Sequence, residues 1–452
     1  MTELSILQAA NAAGAAYSGA NAVIRAISTD SRDIPHGCLF IALEGERFDG
    51  HAFIEKALEQ GAAYALAMRP GSYSADERVL TVSDTGQALL DIAGCYRDTM
   101  PAKIVGITGS VGKTTTRDMV ACVLFAAMPT LCTKANLNNE IGLPKTLLEL
   151  TPEHRAAVLE MGMDGPGQIR RMAHCARPDV GIITNIGVSH IEHLGSRENI
   201  LAAKMELCEG MADGATLILC GDDELLKTVK TSRLRVMRYG IYNKENDVLA
   251  ADIETDSTYT AFTVLYNGKR LPTRIPALGE HNVLAALAAF CAGTTLGIEP
   301  ERALEALQEF SPTGMRQKMV DCRGFTVVED CYNASPDSMR AALRTLGTMP
   351  CKGRRIAVLS DMLELGGIAE QSHYKIGRLA AENAVDCLLC TGELAKQYAE
   401  GAKQGGLADV RYYSDKASLA GELCAMLKPG DIVWLKASRG MRLEEVLTRI
   451  YE

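Results

Sequence analysis

The stretch GITGSVGKTTT, Gly106 to Thr116, continues a strand-like segment that begins at Lys103, and it determines the architecture of the middle of the chain. A strand, a glycine-rich turn and Gly-Lys-Thr at the start of a helix are typical of a phosphate-binding loop. Such a turn gathers backbone N–H groups at a helix N-terminus, where an anionic phosphate is favoured. The usual spelling G-x-x-x-x-G-K-[ST] is not met, because Ile107 stands where its first glycine belongs. The stretch predicts nucleotide binding by a loop of slightly different spelling.

Within this loop, Lys113 is expected to reach the β- and γ-phosphates, and the Thr114 hydroxyl is expected to ligate Mg²⁺. A glycine-rich turn that binds nothing is the alternative, and Gly-Lys-Thr at the start of a helix argues against it. The expected ATP-binding residues of the loop are Thr108, Gly109, Ser110, Val111, Gly112, Lys113, Thr114 and Thr115.

Apolar strand-like segments alternate with helix-like segments along most of the chain, which indicates α/β architecture with a mostly parallel sheet. A chain of 452 residues is too long for one core. Changes of pattern predict a small α/β domain at 1–98, a central P-loop-type ATPase domain at 99–313 and a Rossmann-like domain at 314–452. Within the central domain, Asn267-Gly268 predicts an antiparallel hairpin.

Composition excludes several classes of protein. With 47% hydrophobic and 23% charged residues, the chain has the composition of a soluble globular protein. Its longest apolar run, at 283–293, is too short to cross a bilayer. The net charge of −9 argues against general nucleic-acid binding. We expect a cytoplasmic, monomeric protein without an export signal.

The cysteines point to a reducing compartment. Fourteen of them are scattered without a framework, so reduced thiols are expected. The C-x-x-C at Cys387 and Cys390 lies in an apolar run typical of a buried strand, whose i and i+3 side chains point to opposite faces. A redox or zinc site is therefore not expected there.

Two polar side chains stand where open α/β sheets place their ligands, after the ends of apolar strands. Glu160 ends one such segment, and His190 follows VGIITN. Because Mg²⁺ needs hard ligands beside the phosphates, both are candidate ligands. The amide-rich stretch at 136–150 is typical of a turn ahead of a helix. The polar clusters at 279–282 and 329–339 are mostly explained by loops that cap helices.

The order of the polar clusters along the chain resembles that of a known enzyme family. GITGSVGKTTT, NLNNEIGLPKTLL, SHIEHLGS, AAKMEL, GEHNVLAALAA, PTGMRQ, EDCYNASPDSM, LSDMLELG and KASRGMRLEEV follow one another as they do in the Mur ligases. With STDSRDIPHGCLFIALEGERFDGHAFI near the N-terminus, the resemblance covers essentially the whole chain. The family consists of ATP-dependent amide-forming enzymes of peptidoglycan precursor synthesis. Their loop is spelled T-G-x-x-G-K-T, as at 108–114.

Within that family, L-N-N-x-I-G-x-P and Y-N-A-N-P mark the last cytoplasmic ligase, which joins D-alanyl-D-alanine to UDP-N-acetylmuramoyl-tripeptide. The present chain differs by Ser335 in the second motif and by Ser360 where glycine is more usual. The resemblance implies these two small-molecule substrates and an acyl-phosphate intermediate. Whether the tripeptide ends in lysine or diaminopimelate is left open.

The resemblance also implies the cofactors and the roles of individual residues. ATP and Mg²⁺ are the cofactors, and the Mg²⁺ ligands are Thr114, Glu160, His190 and Lys204. Since an ammonium cannot ligate a cation, Lys204 is expected to be carbamylated by CO₂. Lys113, His190 and Lys204 are then the catalytic residues. Outside the loop, the ATP-binding residues are Asn282 for adenine, Arg316 for phosphate and Asp330 for ribose.

Substrate contacts are implied in all three domains. The N-terminal domain would bind the uridine diphosphate end of the substrate. The expected substrate-binding residues are Ser31, Arg32, Gly45, Asp49, Gly50, His51, Asn138, Asn139, Tyr332, Asn333, Lys436, Ser438 and Arg439.

Three alternatives remain. A sister ligase that adds a single amino acid would carry D-N-P-[AR] in the third domain, and this string is absent. A folylpolyglutamate synthase shares the loop but lacks the DSR…GERFDGH first domain. A nucleotide-dependent regulatory ATPase would bind a partner without forming a bond, and it leaves the remaining motifs unexplained.

Overall fold

The computed structural model describes residues 1–45, 48–312 and 314–452. Glu46 and Arg47 of the ALEGERFDGH segment, and Thr313 at the end of the predicted central domain, lie outside the described residues. Two compact units are formed by the described chain. They comprise residues 1–107, 127–181 and 205–215, and residues 108–126, 182–204 and 216–452. The three domain boundaries stay a prediction.

The N-terminal part of the chain is built on short strands. The strands are β1 (Leu4–Ser5), β2 (Val23–Ile24), β3 (Ile27–Ser28), β4 (Leu39–Ile41), β5 (Glu44–Gly45), β6 (Phe48–Asp49), β7 (Tyr64–Ala67) and β8 (Val79–Thr81). The helices are α1 (Ile6–Ala12), α2 (Ile54–Glu59) and α3 (Thr85–Asp98). A parallel sheet has the order β3-β4-β7-β8. Phe40 of β4 and Ile54 of α2 pack in one hydrophobic core beside this sheet. Strand β4 is buried on both faces, as is usual in a parallel sheet.

The middle of the chain forms the largest sheet. Its strands are β9 (Lys103–Thr108), β10 (Thr130–Cys132), β11 (Ala156–Glu160), β12 (Val180–Ile183), β13 (Thr216–Cys220), β14 (Arg235–Gly240), β15 (Val248–Thr255), β16 (Thr260–Tyr266) and β17 (Lys269–Ile275). Its helices are α4 (Lys113–Phe125), α5 (Gly142–Leu147), α6 (Gln168–Ala176), α7 (Ile191–Leu194), α8 (Arg197–Met205), α9 (Glu280–Thr295) and α10 (Pro300–Gln308). The described strand order is β10-β11-β9-β12-β13-β14-β15-β16-β17.

Parallel pairing joins β10 to β11, β11 to β9, β13 to β14 and β14 to β15. The predicted parallel sheet is therefore confirmed. The predicted hairpin is β16–β17, where Tyr266 pairs with Lys269 across Asn267-Gly268. Both turn residues have positive φ, 49° and 75°, as a two-residue type I′ turn requires. This antiparallel segment extends the large sheet through β15 and is not a separate patch.

The C-terminal part forms a third sheet, covered on both faces. Its strands are β18 (Lys318–Cys322), β19 (Phe325–Asp330), β20 (Arg355–Ser360), β21 (Cys387–Thr391), β22 (Asp409–Tyr413) and β23 (Ile432–Lys436). Its helices are α11 (Pro336–Thr348), α12 (Ala369–Glu382), α13 (Ala395–Gln404), α14 (Lys416–Met426) and α15 (Glu444–Tyr451). The order is β18-β19-β23-β20-β21-β22, parallel except for β18 at the edge.

Successive residues of these strands enter opposite cores. Val358 and Leu389 face one cluster, and Ala357 and Leu388 face the other. The same alternation places Cys387 and Cys390 in different clusters, so the prediction of a buried strand is confirmed. All fourteen cysteines are free thiols. No helix of the described residues is long and apolar enough to cross a membrane.

The two departures from the family motifs have local roles in the C-terminal fold. Ser335 is the N-cap of α11, and its hydroxyl oxygen accepts the N–H of Ser338. Because serine and asparagine cap helices about equally well, this exchange preserves the element. Ser360 is fully buried, and its hydroxyl donates to the carbonyl of Thr391 at 2.5 Å.

Candidate active site

The glycine loop joins β9 to α4, and its path requires residues without a side chain. Gly109 and Gly112 have φ angles of 153° and 82°. A Cβ on Gly109 would lie 1.9 Å from Oγ1 of Thr184, so no other residue fits this conformation and spacing. The two glycines therefore place no side chain of their own over the turn that leads into α4.

Two residues after β12 hold this loop in place. The Val111 N–H donates to Oδ1 of Asn185 at 2.9 Å, and Nδ2 of Asn185 donates to the Val111 carbonyl at 3.1 Å. Thr184 donates its hydroxyl proton to the same carbonyl at 2.6 Å. The sequence analysis did not select Thr184 or Asn185. Both follow the same apolar strand whose end led to the selection of His190.

The loop fits a phosphate group. Nζ of Lys113 lies over the loop, donating to the carbonyls of Gly109 at 2.8 Å and Ser110 at 3.3 Å. The Thr108 hydroxyl is buried and has no hydrogen-bond partner among the described residues. Thr114 and Thr115 follow in the first turn of α4. The Lys113 cation, the hydroxyls and the N–H groups of the first turn of α4 can together bind a triphosphate.

Lys204 lies in the last turn of α8, and its side chain is almost fully buried, at 1% exposure. Burial, and then the positive charge of Lys113, lower the pKa of Lys204 well below its ordinary value. The amine is therefore driven towards its neutral form, which is the form that reacts with CO₂.

Glu160 ends β11 in register with Ile107, the residue that precedes Thr108. It is 2% exposed, and its Oε1 accepts a hydrogen bond from Nδ2 of Asn138 at 2.8 Å. A carboxylate oxygen is a hard donor that suits Mg²⁺. Among the described residues, no group of three or more His, Cys, Asp or Glu side chains could hold a metal. Mg²⁺ commonly completes its shell with phosphate oxygens and water.

Asn138 and Asn139 have different roles in the structure. Asn138 fixes the Glu160 carboxylate, whereas Oδ1 of Asn139 accepts the N–H groups of Ile141 and Gly142 at 3.2 and 2.8 Å. Asn139 thus caps the turn that leads into α5. Its predicted contact with substrate stays a prediction.

Asn282 is held by Gln317, a residue that the sequence analysis did not select. Nδ2 of Asn282 donates to Oε1 of Gln317 at 3.0 Å, and the Gln317 amide also contacts Nε2 of His281. Gln317 has a positive φ of 55°, which is uncommon for a residue with a side chain. Next to it, the Arg316 guanidinium lies 4.2 Å from the centre of the Tyr332 ring. These contacts link the segments 281–282, 316–317 and 332.

Asp330 and Lys436, which the resemblance assigns to different ligands, are paired with each other. Nζ of Lys436 donates to Oδ2 of Asp330 at 2.8 Å and to the carbonyl of Asn333 at 3.0 Å. Both side chains are more than 90% buried. The indole N–H of Trp434 donates to the same carboxylate oxygen at 3.3 Å. The pair thus fixes the ends of the neighbouring strands β19 and β23.

The remaining C-terminal candidates differ in exposure. Ser438 is buried, and its Oγ accepts the N–H of Leu363 at 3.0 Å, so it holds a loop. Asn333 caps its own turn through the N–H of Ala334. Arg439 is 57% exposed and pairs with Glu444 at 3.0 Å, so its guanidinium faces solvent.

The N-terminal candidates are organised around Asp49. Its Oδ1 accepts from Nδ1 of His51 at 2.7 Å, and its Oδ2 pairs with Arg69. Nε2 of the buried His51 ring accepts the N–H of Met68 at 3.0 Å, so both ring nitrogens hold the loop. Gly50 passes so close to Leu43 that a Cβ would lie 2.8 Å from its carbonyl oxygen.

Other side chains of this region are open to solvent. Arg32 is 87% exposed and pairs with Asp30 at 2.7 Å. Its guanidinium also lowers the pKa of the Asp30 carboxyl well below the ordinary range. Ser31 is half-buried beside it, and Gly45 is exposed at the end of β5. These groups are accessible to a ligand without rearrangement of the core.

Three family profiles match successive parts of the chain. They are the Mur ligase family catalytic domain at residues 23–97, the Mur ligase middle domain at 107–293 and the Mur ligase glutamate ligase domain at 315–439. The order and extents agree with the three sheets described above.

Similar proteins cover the chain from end to end. UDP-N-acetylmuramoyl-tripeptide--D-alanyl-D-alanine ligase of Bacillus subtilis is 39% identical over 433 residues, which cover 95% of this chain and 94% of the relative. The enzyme of that name from Escherichia coli is 31% identical, covering 100% and 99%. MurF from Acinetobacter baumannii superposes with a TM-score of 0.92 at 30% identity, covering 100% and 99%. MurF ligase from Thermotoga maritima in complex with ADP gives 0.85 at 27% identity, covering 94% and 96%.

Proposed function

The chain belongs to the Mur ligase family, and we propose that it is the ATP-dependent ligase that joins D-alanyl-D-alanine to UDP-N-acetylmuramoyl-tripeptide. The observation that carries the proposal is similarity over 95% of the chain to a ligase named for this reaction. The reaction forms a peptide bond in peptidoglycan precursor synthesis.

The chemical difficulty is that a carboxylate does not react with an amine in water. The carboxylate oxygen first attacks the γ-phosphorus of ATP, so that an acyl phosphate forms and ADP leaves. The amine of D-alanyl-D-alanine then attacks the carbonyl carbon, and inorganic phosphate and a proton are lost. Phosphoryl transfer depends mainly on positioning and on neutralising charge. Lys113 and the amides of the glycine loop have the geometry for this task.

Thr114, Glu160 and His190 would hold Mg²⁺, which supplies positive charge beside the phosphates when it is bound. The buried Glu160 carboxylate, oriented by Asn138, is a suitable hard donor. Asn282, Arg316 and Asp330 would contact the nucleotide. The two substrates would contact the residues named for them in all three domains. The proposed domain boundaries lie at 98/99 and 313/314.

Lys204 is proposed to act as a carbamate. Its neutral Nζ would form a bond to the carbon of CO₂ and release a proton, which creates a carboxylate-like group whose single negative charge is shared by two oxygens. The depressed pKa of Lys204 supports this reaction, since the free amine is the nucleophile. The carbamate would supply the oxygen donors that an ammonium cannot.

The free cysteines and the ATP requirement favour the cytoplasm as the place of action. The competing functions are a sister ligase that adds one amino acid and a regulatory ATPase that forms no bond.

The experiment is a matrix of phosphate-release assays. We expect release to require both UDP-N-acetylmuramoyl-tripeptide and D-alanyl-D-alanine, with the lysine and diaminopimelate forms of the tripeptide tested side by side. Equal turnover with a free amino acid as acceptor would favour the sister ligase. Phosphate release that does not depend on the nucleotide-sugar peptide would favour the regulatory ATPase.

A further inference from the structure

Two loops within the unit that includes residues 182–204 and 216–452 meet at the candidate metal ligand His190. Nδ1 of His190 lies 3.3 Å from Oε2 of Glu364, an ion-pair distance. Two residues further along each loop, Gly366 approaches Glu192 so closely that a Cβ on Gly366 would lie 3.1 Å from Cγ of Glu192. The contact therefore involves both loops and not only two side-chain tips.

Both partners adopt an uncommon backbone conformation. His190 has a φ of 62° and Glu364 a φ of 63°, in the left-handed region that residues with a Cβ rarely occupy. Such conformations persist when their surroundings determine them, and they concentrate at functional sites. The His190–Glu364 contact joins two residues in this conformation.

The loop that carries Glu364 is fixed from several sides. The N–H of Met362 donates to Nε2 of His373 at 3.0 Å, and the N–H of Leu363 donates to Oγ of Ser438 at 3.0 Å. Oδ2 of Asp361 accepts the N–H of Leu394 at 3.3 Å. Glu364 itself remains 61% exposed on this rigid base, whereas the His190 side chain is 20% exposed. The geometry thus presents an accessible carboxylate to a largely covered imidazole.

We propose that Glu364 is a positioning residue for His190. From the present ion-pair distance, a small rotation of the ring lets this carboxylate accept a hydrogen bond from Nδ1–H, which leaves the lone pair of Nε2 for the metal. Metal-binding histidines generally donate their other N–H to a carboxylate or carbonyl, which fixes the tautomer and the ring orientation. The inference rests on the proposed role of His190 as a Mg²⁺ ligand. It adds a residue from the C-terminal sheet to a site built on the central one.

This position has a consequence for assembly of the site. Glu364 follows β20, and His190 follows β12, so the complete imidazole–carboxylate pair exists only when the two loops meet. Metal affinity then depends on the contact as well as on the ligands. An ordinary exposed ion pair would have no such effect, since exposed pairs contribute little.

The test measures metal binding directly. Mn²⁺ is titrated into the full-length enzyme with a non-hydrolysable ATP analogue, and free Mn²⁺ is followed by electron paramagnetic resonance. For Glu364→Ala we expect a roughly tenfold weaker Kd, at the lower end of the effect of removing such a partner. Glu364→Gln keeps an acceptor oxygen but loses the charge, so an intermediate Kd is expected. Glu370→Ala, an exposed acid at the start of α12, is the matched control and should bind like the unmodified enzyme.

His190→Ala separates the two proposals. If His190→Ala weakens Mn²⁺ binding and Glu364→Ala leaves it unchanged or tighter, Glu364 is no positioning residue and the inference is wrong. If His190→Ala itself has no effect, the metal role of His190 fails and the inference fails with it. Because Glu364 is exposed, these variants should fold, and tryptophan fluorescence of Trp434 verifies this.

Discussion

The Lys204 side chain is buried in surroundings that disfavour its charged form. A lysine at 1% exposure beside a second cation is costly as an ammonium. Burial, and then the Lys113 charge, lower its pKa. Conversion to a carbamate would turn an unfavourable cation into an anion beside Lys113 and Mg²⁺.

We expect Lys204→Ala to reduce ligase activity by about 100-fold or more, which is the effect of losing a charge-stabilising group in an active site. Binding of an ATP analogue should be retained, because Lys113 and the loop amides are unchanged. Acetate should restore part of the activity by replacing the missing oxygens. Lys227→Ala, an exposed lysine, is the control. Near-normal turnover of Lys204→Ala would refute the carbamate.

The Asp330–Lys436 pair makes a prediction about stability. Removing one member of a buried ion pair leaves the other charge uncompensated and costs about 3–5 kcal/mol. Lys436→Ala should lower the free energy of unfolding by this amount, while exposed Lys375→Ala should stay within about 0.5 kcal/mol. Trp434 is the only tryptophan and donates to Asp330, so its fluorescence in urea reports this region.

A second variant separates charge from packing. Asp330→Asn combined with Lys436→Met removes both charges and should recover part of the lost stability. Equal stability of Lys436→Ala and the unmodified protein would contradict the importance of the pair.

At the scale of elements, the glycine loop depends on its approach to Thr184. Gly109→Ala would place a methyl group 1.9 Å from Oγ1 of Thr184 and impose a positive φ. The backbone conformation alone costs about 1–3 kcal/mol. Calorimetric titration with an ATP analogue should therefore show affinity reduced roughly tenfold or more. Gly421→Ala, in α14 with no atom within 4 Å of the new methyl, should bind normally. Unchanged affinity of Gly109→Ala would mean that the loop does not bind the nucleotide in this conformation.

The loop at 361–366 depends on the protonation of His373. The Nδ1–H of His373 donates to the Ala369 carbonyl at 2.7 Å, and Nε2 accepts the Met362 N–H at 3.0 Å, so the buried ring is neutral. Burial lowers the pKa of His373 below its ordinary value. Its contribution to stability is therefore fully present above about pH 6.5 and is lost as the pH falls towards the lowered pKa.

Urea titrations of Trp434 fluorescence between neutral and mildly acidic pH test this linkage. The unmodified protein should lose more stability on acidification than His373→Gln, which has no imidazole to protonate. The same pH dependence of stability in both proteins would show that His373 does not contribute to the loss of stability at acidic pH.

Local elements could be predicted from sequence because their signals are local. The strand 103–108, the strand 325–330 and the hairpin at Asn267-Gly268 appear where apolar runs and turn residues place them. Helix α8 ends at Met205, and the chain continues as a 3-10 segment, Glu206–Gly210. The carboxylate of Glu206 accepts the N–H groups of Gly167 and Arg170, and no local pattern indicates such a contact.

At the scale of the whole molecule, the site could be predicted only in part. The glycine loop and the ends of β11 and β12 follow from the rule that parallel sheets bind ligands at their carboxyl edge. The pairing of Asp330 with Lys436 joins residues 106 positions apart, and the contact of His190 with Glu364 joins two different sheets. Such contacts depend on how distant strands are ordered, so composition and periodicity do not reveal them. The family resemblance supplied roles for His190 and Lys436 but did not indicate their partners.

Mass spectrometry of the reaction product tests the central claim most directly. The full-length enzyme is incubated with UDP-N-acetylmuramoyl-tripeptide, D-alanyl-D-alanine, ATP and Mg²⁺, and the nucleotide-sugar peptide is isolated. The account predicts a product heavier by one D-alanyl-D-alanine less one water, with one ADP and one phosphate released per bond. An unchanged nucleotide-sugar peptide alongside ADP, or a product that has gained a single amino acid when amino acids compete with the dipeptide, would contradict it.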